Sequence, residues 1–186
     1  METRILGNTG LEVSRLGIGL AAIGEEETFD NIKTVEVVLK TALDEGITFF
    51  DTAECYFYSE EMVGHSISDR RSEFLLATKC GHPHPPTPSG EYEADWSLEG
   101  ISLSIDRSLK RLKTDYVDLY QFHSGSNNDF SNENLWSFLH SQVDKGRIKS
   151  LGLSLAHNVV NEADTLQLKG VKEFGLDFVS WVGNYR

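Results

Sequence analysis

The sequence predicts an α/β fold in which a parallel sheet is built from about six βα units and preceded by a β-hairpin. Three observations predict it. Strand-length apolar runs alternate with amphipathic helical stretches along the chain. The runs are nearly continuous in their apolar residues, as strands covered on both faces are. Polar segments bearing glycine or proline follow the carboxyl ends of these runs, where βα barrels carry their functional loops.

Residues 4–6 and 11–13 flank Asn8-Thr9-Gly10, a hairpin turn whose glycine supplies positive φ, and this hairpin is placed to plug or cap one end of a barrel. The first apolar run, 15–23, follows. Ile32, Val35, Leu39, Ala42 and Leu43 then fall on one helical face, and Gly46 stands where a left-handed cap ends that helix. The second and third runs are 47–53 and 74–80. Ser97 can cap a helix with the stripe Leu98, Ile101, Ile105, Leu109 and Leu112. After the fourth run, 116–123, Ser131 can cap a helix carrying Leu135, Phe138, Leu139 and Val143 before Gly146. The fifth and sixth runs are 148–155 and 178–185. Segments 25–28, 82–95 and 125–129 are loops at carboxyl ends, and the second holds all four prolines, Pro83, Pro85, Pro86 and Pro88. No linker or low-complexity tract divides the chain, so residues 1–186 read as a single domain.

Composition narrows the function classes. The 186 residues, 39% hydrophobic and 25% charged, match a soluble globular domain and exclude a disordered or fibrous chain. No apolar run approaches the roughly 18 residues of a membrane span, and the amino terminus begins no signal peptide, so a cytoplasmic location is expected. Lys+Arg number 17 against 29 Asp+Glu, and the net charge of -12 repels nucleic acid and anionic membrane, so neither is expected as a partner. Two cysteines, Cys55 and Cys80, are too few for a disulfide framework and fit a reducing compartment.

Asp51, Lys79 and His123 lie at the carboxyl ends of the second, third and fourth runs, with Tyr56 just beyond the second. Successive strands of a singly wound sheet are neighbours, so these side chains can converge at one mouth. The chemistry is coherent. A lysine ammonium favours tyrosinate, a carboxylate keeps the lysine charged, and such a phenol can protonate a nascent alkoxide while the histidine orients a carbonyl. On spacing alone, Tyr58, Glu60 and Glu61 are also candidates, and each of the four residues can instead be a structural ion pair or a satisfied core group.

Several segments together resemble the aldo-keto reductase family. Arg4-Ile5-Leu6-Gly7, Asn8 through Ser14 and Leu16-Gly17-Ile18-Gly19 are similar to its opening. Gly46 through Tyr56, followed by Ser59-Glu60, resembles the signature around its catalytic aspartate and tyrosine. Ala77-Thr78-Lys79 resembles the catalytic lysine segment, and Ser104 through Leu112, then Asp115 through Tyr120 and His123, the stretch ending in the catalytic histidine. Lys145-Gly146-Arg147-Ile148, leading to Gly152-Leu153-Ser154, is like the approach to its fifth strand. The resemblance implies a (β/α)8 TIM barrel and an oxidoreductase passing hydride between a nicotinamide cofactor and an aldehyde or ketone. NADP(H) is the expected cofactor, with NAD as the alternative, and no metal is expected. It implies Tyr56 rather than Tyr58 as proton donor or acceptor, Lys79 and Asp51 as its tuning partners and His123 as the carbonyl-orienting group. Gly19, Asp51, Ser154 and Ser180 are the implied cofactor-binding residues.

The sequence departs from the family at three points. Leu155 follows Ser154 where many members have asparagine, and Ser180 stands before Trp181 where a glutamine is usual, so contacts to the nicotinamide carboxamide are reduced. The third is length: a closed barrel takes about 250 residues, and strands seven and eight are not in these 186. A fragment, a complementing C-terminal segment, self-association or a decayed site are the expectations this raises. Two other readings compete with a reductase. Cys80, His82 and His84, with Cys55 and His123, offer zinc-ligating groups but no paired spacing on a helix. A non-catalytic, cofactor-sensing or regulatory barrel is the other, since fold alone does not fix function. A Rossmann fold is disfavoured because no Gly-x-Gly-x-x-Gly follows the first run.

Overall fold

The structure, a computed structural model, describes residues 1–25, 31–82, 94–155 and 166–181. It opens on an antiparallel hairpin of β1 (Thr3–Ile5) and β2 (Glu12–Ser14), with Arg4 opposite Val13. Six strands then form one sheet: β3 (Gly17–Gly19), β4 (Phe49–Asp51), β5 (Leu75–Cys80), β6 (Val117–His123), β7 (Ile148–Leu155) and β8 (Phe178–Trp181). Every neighbouring pair is parallel and their order in space is their order in sequence. This is the α/β arrangement of a TIM barrel, over six consecutive strands and their connecting helices. Each strand lies within one of the six apolar runs. The end of the sixth run, 182–185, lies outside the described residues, as do the four prolines and His84.

The hairpin sits at the amino-terminal end of the sheet. Ser14 N–H donates to Thr48 Oγ1 at 3.0 Å, just ahead of β4, and Asn8 N–H donates to the carbonyl of Asp177 at 3.0 Å, just ahead of β8. It therefore straps the end opposite to the functional loops, as a cap would.

Helices cover the outer face. Helix α1 (Ile32–Asp44) buries Val35, Leu39, Ala42 and Leu43, and Gly46 follows it at φ +83°. Helix α2 (Ser59–Ser66) follows β4. Its sequence is mostly polar and too short to show a helical period, so periodicity alone does not find it. Helix α3 (Leu98–Leu112) begins as expected: Ser97 Oγ accepts the N–H of Gly100 at 3.0 Å. Ile101, Ile105, Leu109 and Leu112 are buried, whereas Leu98, at the first helical position, stays exposed. Gly64 lets α2 approach α3, because a Cβ there would stand 2.0 Å from the carbonyl of Arg111.

The helix ahead of β7 begins differently from the expectation. Ser126 and Asp129 form a reciprocal capping box that winds residues of the expected loop 125–129 into a short α4 (Asn127–Phe130). Ser131 ends that turn, its hydroxyl donating to the Asn127 carbonyl at 2.8 Å, and Asn132 is the N-cap of α5 (Glu133–Asp144). Helix α6 (Leu166–Glu173) precedes β8. Between sheet and helices the buried side chains form one cluster running from Leu20 to Leu176. On its α5 side, Phe122, Phe130, Trp136 and Phe174 pack ring against ring.

Candidate active site

Strand register brings the chemistry together. Asp51 ends β4 opposite Ala77 of β5, so Lys79 lies one pleat further along the same face and reaches back over the end of β4. Its ammonium is buried, with 3% side-chain exposure, and donates to Asp51 Oδ2 and to the Thr52 carbonyl, both at 2.7 Å. Lys79 pairs with Gln121 of β6, and His123 is the next residue of β6 on that face. Tyr56 stands on the loop after β4. Lys79 Nζ lies 4.7 Å from the centre of its ring, and the ring meets His123 edge-on at 6.2 Å. Asp51, Tyr56, Lys79 and His123 thus converge on one mouth.

The alternatives left open by spacing go elsewhere. Tyr58 lines a groove among α1, α2 and α3 with Ile32 and Met62. Glu60 is buried and accepts the hydroxyl of Thr78 at 2.7 Å, and Glu61 pairs with Arg111 at 2.9 Å.

Three non-glycine residues among those described have positive φ, and two directly follow members of this group: Phe57 at +46° after Tyr56, and Ser124 at +59° after His123. The left-handed conformation costs an L-residue roughly 1–2 kcal/mol, and such strain gathers at functional sites. Burial, reinforced by Lys79 and His82, holds the His123 imidazole down to about 3, so the ring is neutral at physiological pH. Its Nδ1 lies 3.8 Å from Cys55 Sγ. Burial pushes that thiol up to about 11 in spite of Lys79, so the sulfur stays protonated, and which of the two groups donates depends on the histidine tautomer.

The expected cofactor residues border the same mouth. Gly19 ends β3 opposite Asp51 with open space before its Cα. Ser154 pairs in register with both His123 and Ser180, which puts all three on one face. Ser154 is 9% exposed, so it places a hydroxyl, able both to donate and to accept, on the face that borders the mouth. Ser180 Oγ is already engaged, donating to Gln121 Oε1 at 2.8 Å. Leu155 lies on the opposite face and is buried in the core under the helices. The residues present fit a nicotinamide amide through Ser154, with Gly19 leaving room beside Asp51.

The Aldo/keto reductase family model matches residues 15–186 of this chain. The chain belongs to the aldo/keto reductase family. It is 36% identical over 165 residues to the uncharacterized oxidoreductase YqkF of Bacillus subtilis, covering 87% of this chain and 52% of that one. L-galactose dehydrogenase of Arabidopsis thaliana is 38% identical over 132 residues, 66% of this chain and 38% of its own length. An aldo-keto reductase from Bacillus halodurans, solved in its holo form, superposes with a TM-score of 0.77 at 26% identity, covering 97% of this chain and 65% of that one. The chain spans about half the length of the curated relatives it matches.

For this aldo/keto reductase chain, two parts of the site escape sequence reasoning. Gln121 is fully buried and donates through Nε2 to Asp51 Oδ1 at 3.0 Å. Its signal was the two-residue period of β6, which puts it on the face of His123, inside a run that otherwise looks apolar. Behind the sheet, Glu54 and Glu60 are buried against α3. Glu54 accepts from Arg107 and Ser104, each at 2.5 Å, while Arg111 lies 3.5 Å from Glu60 and 3.7 Å from Glu54. Since Glu54 precedes Cys55-Tyr56 and Thr78 precedes Lys79, this network pins both functional segments to one helix. Among the described residues no group of three or more His, Cys, Asp or Glu side chains can hold a metal, and none of the helices is long and apolar enough to cross a membrane.

Proposed function

We propose that this mouth transfers a hydride between NADP(H) and an aldehyde or ketone, with Tyr56 as the proton donor in reduction and the acceptor in alcohol oxidation. The observation that carries the reading is Lys79, held by Asp51 and lying against the face of the Tyr56 ring. When bound, the nicotinamide ring supplies the hydride from C4. Tyr56 then gives its hydroxyl proton to the carbonyl oxygen as negative charge develops there. The Lys79 ammonium favours the tyrosinate that remains, and Asp51 keeps that ammonium charged and in place. His123, neutral, donates from a ring N–H to the same oxygen and fixes the carbonyl's orientation. Ser154 is the residue positioned to hold the carboxamide.

The relative named aldo-keto reductase yakc [NADP(+)] of Schizosaccharomyces pombe, 33% identical over 158 residues, supports NADP(H) over NAD. A small carbonyl or alcohol substrate accords with the family. Two free thiols, Cys55 and Cys80, fit a reducing cytoplasm.

The test is Tyr56→Phe in the full-length protein. Carbonyl reduction should fall at least about a hundredfold, the lower end for a lost general acid, with cofactor affinity little changed. Near-normal turnover would remove Tyr56 from this role.

A further inference from the structure

We infer that Gln121 is a positioning residue of this site: fixed from β8 by Ser180, its amide holds the Asp51 carboxylate in the orientation that seats Lys79. The inference rests on the reductase reading given above. Its geometry is a continuous chain of hydrogen bonds. Ser180 Oγ donates to Gln121 Oε1 at 2.8 Å, Gln121 Nε2 donates to Asp51 Oδ1 at 3.0 Å, and Lys79 Nζ donates to Asp51 Oδ2 at 2.7 Å. Lys79 in turn lies against the Tyr56 ring. The relay therefore runs across β8, β6, β4 and β5 to the proton donor.

Chemistry fixes the direction of each link. A carboxylate only accepts, so the amide must turn its NH2 toward Asp51, which leaves Oε1 for the Ser180 hydroxyl. Gln121 is fully buried, and its two ends are matched to these two partners. With one oxygen held by Gln121 and the other by Lys79, the carboxylate has no freedom to rotate away from the ammonium. The titratable groups facing Gln121 are Asp51 from β4, Lys79 from β5, and His123 further along its own strand, with Tyr56 beyond Lys79. Ser180 thereby belongs to the support of the proton donor, and its bond to Gln121 is a different task from holding a carboxamide.

Gln121→Glu and Gln121→Leu in the full-length protein test this. Glutamate has the shape of glutamine but can donate to Asp51 only while protonated, whereas leucine never can. The rate of carbonyl reduction should fall roughly tenfold in Gln121→Leu at every pH, the effect of losing a hydrogen bond to a charged group. Gln121→Glu should approach the wild-type rate at low pH and acquire a new descending limb as its carboxyl ionises. A second measurement needs no turnover: the denaturant stability of Gln121→Glu should fall as pH rises, and adding Asp51→Asn should flatten that fall. A Gln121→Glu rate profile that superimposes on wild type would overturn the proposal, even if the stability coupling is present. An inactive wild-type protein would instead overturn the reductase reading, and the stability cycle would then decide on its own whether Gln121 holds Asp51.

Discussion

Lys79 is the side chain on which the site turns, because it touches both the carboxylate of β4 and the ring of Tyr56. Removing its charge while keeping its bulk separates an electrostatic role from a packing role. Lys79→Met in the full-length protein should shift the pH–rate profile of carbonyl reduction to higher pH and leave the fold formed, since the tyrosinate loses the charge that favours it. Asp51→Asn should shift the profile in the same direction. Profiles unchanged by both substitutions would make the pair a purely structural bridge. At this scale the sequence is informative where polar residues interrupt an apolar run at its carboxyl end, as Asp51, Lys79 and His123 do. It gives only a weak signal for Gln121, a two-residue spacing from His123, because a residue within a strand is assigned to the mouth only once its register against Lys79 is known. Leu155 is the converse case. It stands beside Ser154 in sequence, and the alternation of β7 turns it to the core.

The six strands of the parallel sheet are legible because a strand covered on both faces has to be apolar throughout, and each lies within an expected run, whereas β1 starts one residue before the expected 4–6 and β2 ends one residue after the expected 11–13. Helices α1 and α3 are legible through their stripes and their ends. Helix α2 is not, since its place is set by tertiary contacts: Gly64 against the Arg111 carbonyl, and Glu60 against Thr78 and Arg111. The joint between α2 and α3 has a consequence for stability. Burial raises the Glu60 carboxyl from its ordinary 4.5 to about 7, although the Thr78 hydroxyl and Arg111 act in the opposite direction. A carboxyl raised in the folded state favours folding fully below about 4.5, and that contribution is lost as pH rises through about 7. Stability followed by urea denaturation should therefore decline from about pH 5 to about pH 8, with a slope from this group of at most about 1.4 kcal/mol per pH unit. Glu60→Gln keeps an acceptor for Thr78 and removes the titration, so its curve should be flatter across that range. An equal slope in both proteins would mean that Glu60 is ionised throughout.

On the scale of the molecule, the order β3 through β8 leaves β3 and β8 at the two edges of the described sheet, while the hairpin straps its amino-terminal end. Parallel strands with free edges present unpaired backbone groups, and closure into a barrel is what removes them. Helix α1, which follows the edge strand β3, also leaves Val37 and Val38 exposed at 65% and 51%. Both features favour association when these 186 residues are expressed alone. The net charge of -12 works against an anionic dinucleotide unless cations gather around it, and the cations near the site are engaged: Lys79 with Asp51, Arg107 with Glu54 and Arg111 with Glu61. The isolated chain should therefore self-associate or require a complementary segment, and should bind NADPH no tighter than roughly millimolar, about 4 kcal/mol weaker than a micromolar site. Light scattering coupled to size-exclusion chromatography reads the first half, and fluorescence titration with NADPH reads the second. A stable monomer with micromolar affinity would refute both, because it would require the six strands to close on themselves and Ser154 with its neighbours to hold the dinucleotide without further cations.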